Sequence, residues 1–131
     1  MMYYVSMATN TKQLNRFELK LQQDIEALMT AHKVKFSVFL PVLREDIPED
    51  KSSNEYKNKH KAEYLKQLRG SYSVEEVKKM LGVLGYDITF TAGKRKIDPV
   101  GYAIPDVKVK YTELMAVCEL LGITIEWVKH W

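Results

Sequence analysis

The sequence predicts an α+β fold: a single domain with a mostly antiparallel sheet of four to five strands and about four helices packed mainly on one face. One observation behind this prediction is an internal echo, because residues 75–90 and 112–127 share one pattern. Each reads as an apolar-striped helix, a Leu-Gly pair and an alternating strand that ends in an aromatic residue. The other observation is that the apolar period switches between helical and two-residue spacing along the chain. We therefore expect two helix-glycine-strand units that share one core.

Composition indicates one globular domain spanning residues 1–131. Hydrophobic residues make up 46% of the sequence, charged residues make up 28%, and the formal net charge is +3. These are the values of a folded domain and not of a disordered chain. Cys118 is the only cysteine, which excludes an internal disulfide and favours a reducing compartment. The sequence has no apolar run of signal-peptide or membrane-span length, so we expect a cytoplasmic protein without a membrane partner.

The first half of the chain predicts a helix followed by a strand. Residues 11–32 carry apolar side chains at steps of three and four, and Asn10 or Thr11 can cap this helix. Residues 34–40 alternate between apolar and polar side chains, which predicts a strand with one buried face. Pro41 would end the pairing of that strand, because proline has no N–H to donate.

A polar segment then separates this strand from two further helices. Residues 41–58 contain two prolines, an acidic cluster and Ser-Ser-Asn, so we predict a loop that is mobile. Residues 58–69 predict a short helix, with Ala62, Leu65 and Leu68 as its apolar contacts and Gly70 at its end. The next helix has a clear start, because Ser73-Val-Glu-Glu76 matches the capping box.

The second half of the chain predicts a meander of strands, a helix and a closing strand. Residues 86–92 alternate as a strand, and Gly93-Lys94 suits a two-residue hairpin turn. The remaining predicted elements are two short strands at 100–104 and 107–111, a helix at 112–121 capped by Thr112 and ended by Gly122, and a strand at 123–127. The last step between two strands, through a helix, could form one parallel pair.

No motif in the sequence predicts catalysis or a cofactor. Glycine-rich phosphate loops are missing, and the three histidines have no zinc-ligand spacing. Cys118 lies on an apolar helical stripe, where a thiol is an ordinary core residue. Asp106 and Lys108 carry part of a metal-dependent nuclease signature, but a second acid and lysine with suitable spacing on a strand are missing. We therefore expect no enzyme activity, no cofactor and no metal. The alternatives are a metal-dependent nuclease and an enzyme whose site residues are dispersed along the sequence.

The cationic residues are concentrated more strongly than the net charge suggests. Residues 51–70 carry six basic and two acidic groups, and residues 92–110 carry five basic and two acidic groups. Such segments can contact phosphates, so nucleic-acid binding through 57–69 and 94–110 is the alternative function. The candidate residues are Lys57, Lys59, Lys61, Lys66, Arg69, Lys94, Arg95, Lys96, Lys108 and Lys110.

The leading hypothesis is a small non-enzymatic protein that occupies the surface of another macromolecule, most readily a protein. Small domains rich in lysine, tyrosine and methionine are common among phage and mobile-element accessory proteins. One expectation is therefore a phage protein that inhibits or modulates a host nucleic-acid-handling or defence protein. A homodimer is a further alternative, because an unpaired outer strand could join two copies. The predicted contact residues are Glu45, Asp46, Glu49, Asp50, Lys94, Arg95, Lys96 and Trp131.

Overall fold

The computed structural model describes residues 14–96 and 110–130 of the chain. This part contains five α-helices, one 3-10 helix and an antiparallel sheet of three strands, which confirms the predicted α+β class. The elements are α1 (Arg16–His32), the 3-10 helix (Phe36–Phe39), α2 (Leu40–Leu43), α3 (Asn54–Arg69), α4 (Val74–Val83), β1 (Tyr86–Ala92), β2 (Arg95–Lys96), α5 (Tyr111–Leu120) and β3 (Ile123–Lys129).

Helix α1 begins later than the sequence predicted. Asn15 is its N-cap: the Asn15 side chain accepts a hydrogen bond from the Glu18 N–H at 2.8 Å, and the Glu18 carboxylate accepts one from the Asn15 N–H at 2.9 Å. This reciprocal capping box fixes the first turn. The predicted caps Asn10 and Thr11 lie outside the described residues.

The strand predicted at 34–40 is wrong, because residues 36–39 form the 3-10 helix and Leu40 begins α2. Phe36, Phe39 and Leu40 are buried, whereas Val38 is 37% exposed. The buried positions therefore follow a helical step of three and four, which the alternating apolar pattern also accommodated. Pro41 lies in the first turn of α2, where a proline fits because the early N–H groups have no intrahelical partner.

Helix α3 begins inside the segment predicted as a loop. Ser53 caps it by accepting a hydrogen bond from the Tyr56 N–H at 3.1 Å. Together with α2, this leaves only residues 44–53 without helical structure in the predicted loop 41–58. The turn before the cap is closed by Asp50, whose side chain accepts hydrogen bonds from the N–H and hydroxyl groups of Ser52 at 2.9 and 2.7 Å.

The buried face of α3 also differs from the prediction. Leu65 and Leu68 are 38% and 41% exposed, whereas Glu63 and Gln67 are buried. Burial of Gln67 is supported by its amide NH2 group, which donates to the carbonyl oxygen of Gln22 at 3.0 Å. The Gln67 amide oxygen is buried without a hydrogen-bond partner among the described residues. The leucines predicted as core contacts therefore lie on the outer surface.

Gly70 ends α3 at a very close approach to α1. Its φ is +59°, and a Cβ atom placed there would lie 2.3 Å from the carbonyl oxygen of Glu18. Only glycine combines a left-handed φ with enough space for this crossing.

The three strands form a sheet of order β2-β1-β3 in which both pairs are antiparallel. Strand β1 has the predicted bounds, and Gly93-Lys94 joins it to β2 in a two-residue turn, as Ala92 pairs with Arg95. Seven residue pairs join β1 to β3, among them Ile88 with Trp127. The face that carries this pair packs against the core, together with α4 and α5.

Helix α5 is capped by Lys110 rather than by the predicted Thr112. The Lys110 N–H donates to the Glu113 carboxylate at 3.3 Å, and the helix begins at Tyr111. The sequence predicts Tyr111 as the last residue of a strand at 107–111, and this end of the predicted strand is wrong. The rest of the predicted strands 100–104 and 107–111 lies outside the described residues.

The core is shared by helices α1, α4 and α5, the 3-10 helix, the start of α2 and the inner face of the sheet. Tyr72 is fully buried between α3 and α4, and its carbonyl oxygen accepts a hydrogen bond from the Tyr111 N–H at 2.9 Å. Within residues 14–96 and 110–130, no helix has both the length and the apolar character needed to cross a bilayer.

Candidate functional site

A groove lies between α1, α5 and β3 in the described part of the chain. Its volume is about 560 Å³, which falls in the range of small-molecule sites. Tyr111, Cys118 and Ile123 are buried and form its floor. The half-buried walls and the rim are formed by Arg16, Phe17, Lys20, Asp24, Met115, Glu119, Thr124, Ile125 and Trp127.

Helix and strand periodicity explains why the lining side chains of α1 and of β3 each lie on one side of their element. On α1, Arg16, Lys20 and Asp24 are spaced at steps of four, so they lie along one side of the helix. On β3, Ile125 and Trp127 point to the same face because side chains alternate along a strand.

One hydrogen bond fixes the end of the groove. The Trp127 Nε1–H donates to the Tyr111 hydroxyl oxygen at 2.9 Å, and the two ring centroids are 6.3 Å apart. Burial raises the pKa of Tyr111, so the hydroxyl stays neutral. Since the two polar atoms satisfy each other, the adjoining wall presents mainly hydrocarbon to the groove.

Two ion pairs lie at the rim. Both guanidinium NH groups of Arg16 bind the Glu119 carboxylate, and Nη1 lies 2.8 Å from Oε1. The Arg16 guanidinium also lies 4.3 Å from the centroid of the Phe17 ring. The bond to Arg16 lowers the pKa of Glu119. Lys20 binds Asp24 at 2.9 Å within the same helix.

Cys118 lies in the floor of the groove and is 1% exposed. Burial raises the pKa of its thiol. A nucleophilic cysteine needs the opposite, namely an accessible thiolate in an electropositive setting. The arrangement therefore suits a packing role for Cys118.

The acidic contact residues predicted from the sequence are not equivalent. Asp46 binds Lys59 at 2.8 Å and Arg44 at 3.2 Å, and these bonds, the one from Lys59 above all, lower the pKa of Asp46 to about 2. Glu45 and Glu49 are exposed and line a smaller cavity of about 310 Å³. Asp50, also exposed, is engaged in the turn before α3.

The basic residues of α3 fall into an ion-paired group and an exposed group. Lys59 binds both Asp46 and Glu55, and Lys66 binds Glu76 at 2.8 Å. These two lysines are therefore part of the protein's own ion-pair network. The exposed cations of the helix are Lys57, Lys61 and Arg69.

The other predicted cations lie elsewhere. Lys94, Arg95 and Lys96 are exposed at the β1–β2 hairpin, and Lys110 is exposed at the start of α5. No hydrogen bond or ion pair within the described ranges joins the hairpin to the acidic residues of segment 44–53. Lys108 and Trp131 lie outside those ranges.

Sequence reasoning missed two surface features. The groove is one, since nothing local relates Arg16 to Glu119. The other is the apolar surface around Leu65 and Leu68, which helical periodicity assigned to the core. The sequence does contain a second stripe on α3, formed by Tyr56, His60 and Tyr64 at steps of four. His60 and Tyr64 pack against Phe36 and each other, and Tyr56 packs against His60.

Comparison with known proteins adds no relationship: no family model, no curated protein and no solved structure matches this chain.

Proposed function

We propose that this chain is a non-enzymatic binding protein that occupies the surface of another protein through the outer side of α3 and the adjoining turn of α1. We call this surface the α1–α3 face. It consists of Leu19, Lys57, Lys61, Leu65, Leu68 and Arg69. The observation that carries the proposal is the exposure of three leucines on this face, 42% for Leu19, 38% for Leu65 and 41% for Leu68.

The members of the face are neighbours through helix geometry. Four of them are aligned along α3 because they follow one another at steps of four, four and three: Lys57, Lys61, Leu65 and Leu68. Leu19 adjoins them because α1 crosses α3 at this end. The Gln22 side chain, one turn after Leu19, donates to the Leu68 carbonyl oxygen at 3.2 Å.

The composition of the face defines the partner. Apolar side chains flanked by cations complement a protein segment with apolar anchors and flanking carboxylates, such as an amphipathic acidic helix. A second copy of this chain fits less well, because pairing α3 with α3 would bring its exposed cations, Lys57, Lys61 and Arg69, together. Glu45 and Glu49 remain predicted contact points outside this face. A host defence or nucleic-acid-handling protein remains the predicted partner class.

Affinity purification from the producing organism, followed by mass spectrometry after nuclease treatment, tests this proposal. The double variant Leu65→Gln/Leu68→Gln removes the apolar anchors and keeps good helix formers at both positions. The control is Val38→Gln, because Val38 has a similar exposure of 37% and lies in the 3-10 helix, which is not part of the α1–α3 face. We expect a stoichiometric protein to be retained by wild type and control and lost by the double variant. Equal retention by all three would place the binding surface elsewhere.

A second candidate function is nucleic-acid binding, favoured by the exposure of Lys94, Arg95 and Lys96 on one hairpin. It predicts that oligonucleotide affinity falls steeply with salt and that replacing all three cations by glutamine lowers the salt slope by about three. The same measurement on Leu65→Gln/Leu68→Gln separates the two functions, since phosphate contacts do not need the leucines. If no oligonucleotide is retarded at low salt, this second candidate is excluded.

A further inference from the structure

The groove between α1, α5 and β3 has the shape and chemistry of a ligand site, independent of the α1–α3 face. Its walls are the side chains of Phe17, Met115, Ile125 and Trp127, all half-buried and so accessible from the groove. Apolar walls of this kind bind an apolar body, and the few polar groups at the rim select its head group.

The polar group best placed to select a head group is Arg16. Its guanidinium lies over the Phe17 ring in the wall of the groove, and it holds a carboxylate through two N–H groups. A planar fork of donors matches a carboxylate with two hydrogen bonds. The Glu119 side chain therefore shows where and how an acid head group would be held.

The Glu119 carboxylate can be replaced on Arg16 by the carboxylate of a ligand at little cost. The side chains of Arg16 and Glu119 are 68% and 54% exposed, and an ion pair at that exposure adds little stability. Arg16 would stay placed after the exchange, because Phe17 still supports its guanidinium. Lys20 keeps its own partner, Asp24, within α1. A cationic ligand fits less well, because displacing Arg16 from Glu119 would leave the Arg16 charge at the same mouth.

We propose that this groove binds a small monocarboxylate with an apolar body, and that Glu119 competes with the ligand's carboxylate for Arg16. The tail lies along Met115, Ile125 and Trp127, and the head group replaces Glu119 on the guanidinium. Glu119 then returns to solvent, where its charge is hydrated at little cost.

The test uses decanoate and its uncharged analogue decanol as probes, with affinity measured by calorimetry. Arg16→Gln should weaken decanoate binding about fivefold, because the charge-assisted hydrogen bonds are lost. Glu119→Gln should strengthen it about threefold, because the internal competitor is weakened. Decanol should bind both variants as it binds wild type. Methyl shifts of Met115 and Ile125 on titration locate either ligand in the groove.

Two results would overturn the proposal: no saturable binding of decanoate to wild type, or the same response of decanoate and decanol to both substitutions. Met115→Trp is a separate check, because a larger side chain in the wall should abolish binding of both probes. Both rim substitutions concern exposed side chains, so the comparison remains decisive even if the larger Met115 substitution unfolds the protein.

Discussion

Replacing Gly70 by alanine should destabilise this protein strongly. The added Cβ would lie 2.3 Å from the Glu18 carbonyl oxygen and 2.9 Å from both the Glu18 Cα and carbonyl carbon. These are backbone atoms, so no side-chain rotation relieves the contact, and overpacking of this kind costs about 1–3 kcal/mol. The left-handed φ of +59° adds about 1–2 kcal/mol for any residue with a Cβ. We therefore expect Gly70→Ala to lower the free energy of unfolding by about 3 kcal/mol.

Gly122→Ala is the matched control for this experiment. Gly122 has a similar φ of +71°, and a Cβ atom added to it would meet no described heavy atom within 4 Å. It should therefore show the conformational cost alone, about 1–2 kcal/mol. Urea denaturation followed by circular dichroism measures both variants. If both substitutions lower the free energy of unfolding equally, the close approach of α1 to Gly70 does not require the absence of a Cβ atom, and the packing argument is wrong.

Three further predictions concern single side chains. Hydrogen bonds, the one from Lys59 above all, hold the folded-state pKa of Asp46 at about 2, below the ordinary 3.8. The contribution of Asp46 to stability is therefore present above about pH 4 and is lost as pH falls towards 2. In urea denaturation at a series of pH values, Asp46→Asn should make the loss of stability at low pH smaller, and parallel stability curves for variant and wild type would contradict this. Tyr72→Phe should leave stability unchanged or raise it, since the buried hydroxyl has no hydrogen-bond partner among the described residues. Tyr111→Phe should cost about 1 kcal/mol, because it removes the acceptor of the Trp127 indole N–H. Chemical denaturation of both variants tests this, and a larger loss for Tyr72→Phe than for Tyr111→Phe would refute these hydrogen-bond roles. Ser73→Ala should cost about 1 kcal/mol through loss of the α4 cap, with Ser73→Thr as a control that keeps the hydroxyl.

Where the signals in the sequence are local, the structure follows them closely. Ser73 and Glu76 form the expected capping box, and β1 has the predicted bounds. Both signals lie within one turn or one strand of the sequence, so they can be recognised without knowing which distant residues pack or pair with them.

Where several local patterns fit, tertiary packing decides. Residues 34–40 satisfied both a strand and a helical turn, and the burial of Phe36, Phe39 and Leu40 selects the helical one. On α3 the leucine stripe is exposed, and the buried face instead contains Gln67 and Glu63. Burial of those polar groups depends on partners such as the Gln22 carbonyl oxygen and Arg44, which periodicity alone does not show.

The groove was beyond sequence reasoning for a related reason. It needs α1 and α5 side by side, and Arg16 and Glu119 are separated by 103 residues. Trp127 could be assigned to the inner face of its strand, but only the packing of α1 against α5 leaves a space beside it.

The strand order has a consequence for how the protein folds. Among the described strands, β1 is the middle one, with the two-residue β2 on one side and the seven-residue β3 on the other. Before β3 docks, the long edge of β1 that faces it offers free backbone hydrogen-bonding groups, and such an edge is prone to pair with another chain. Pairing with β3 along all seven residues of β1 removes that edge in one step.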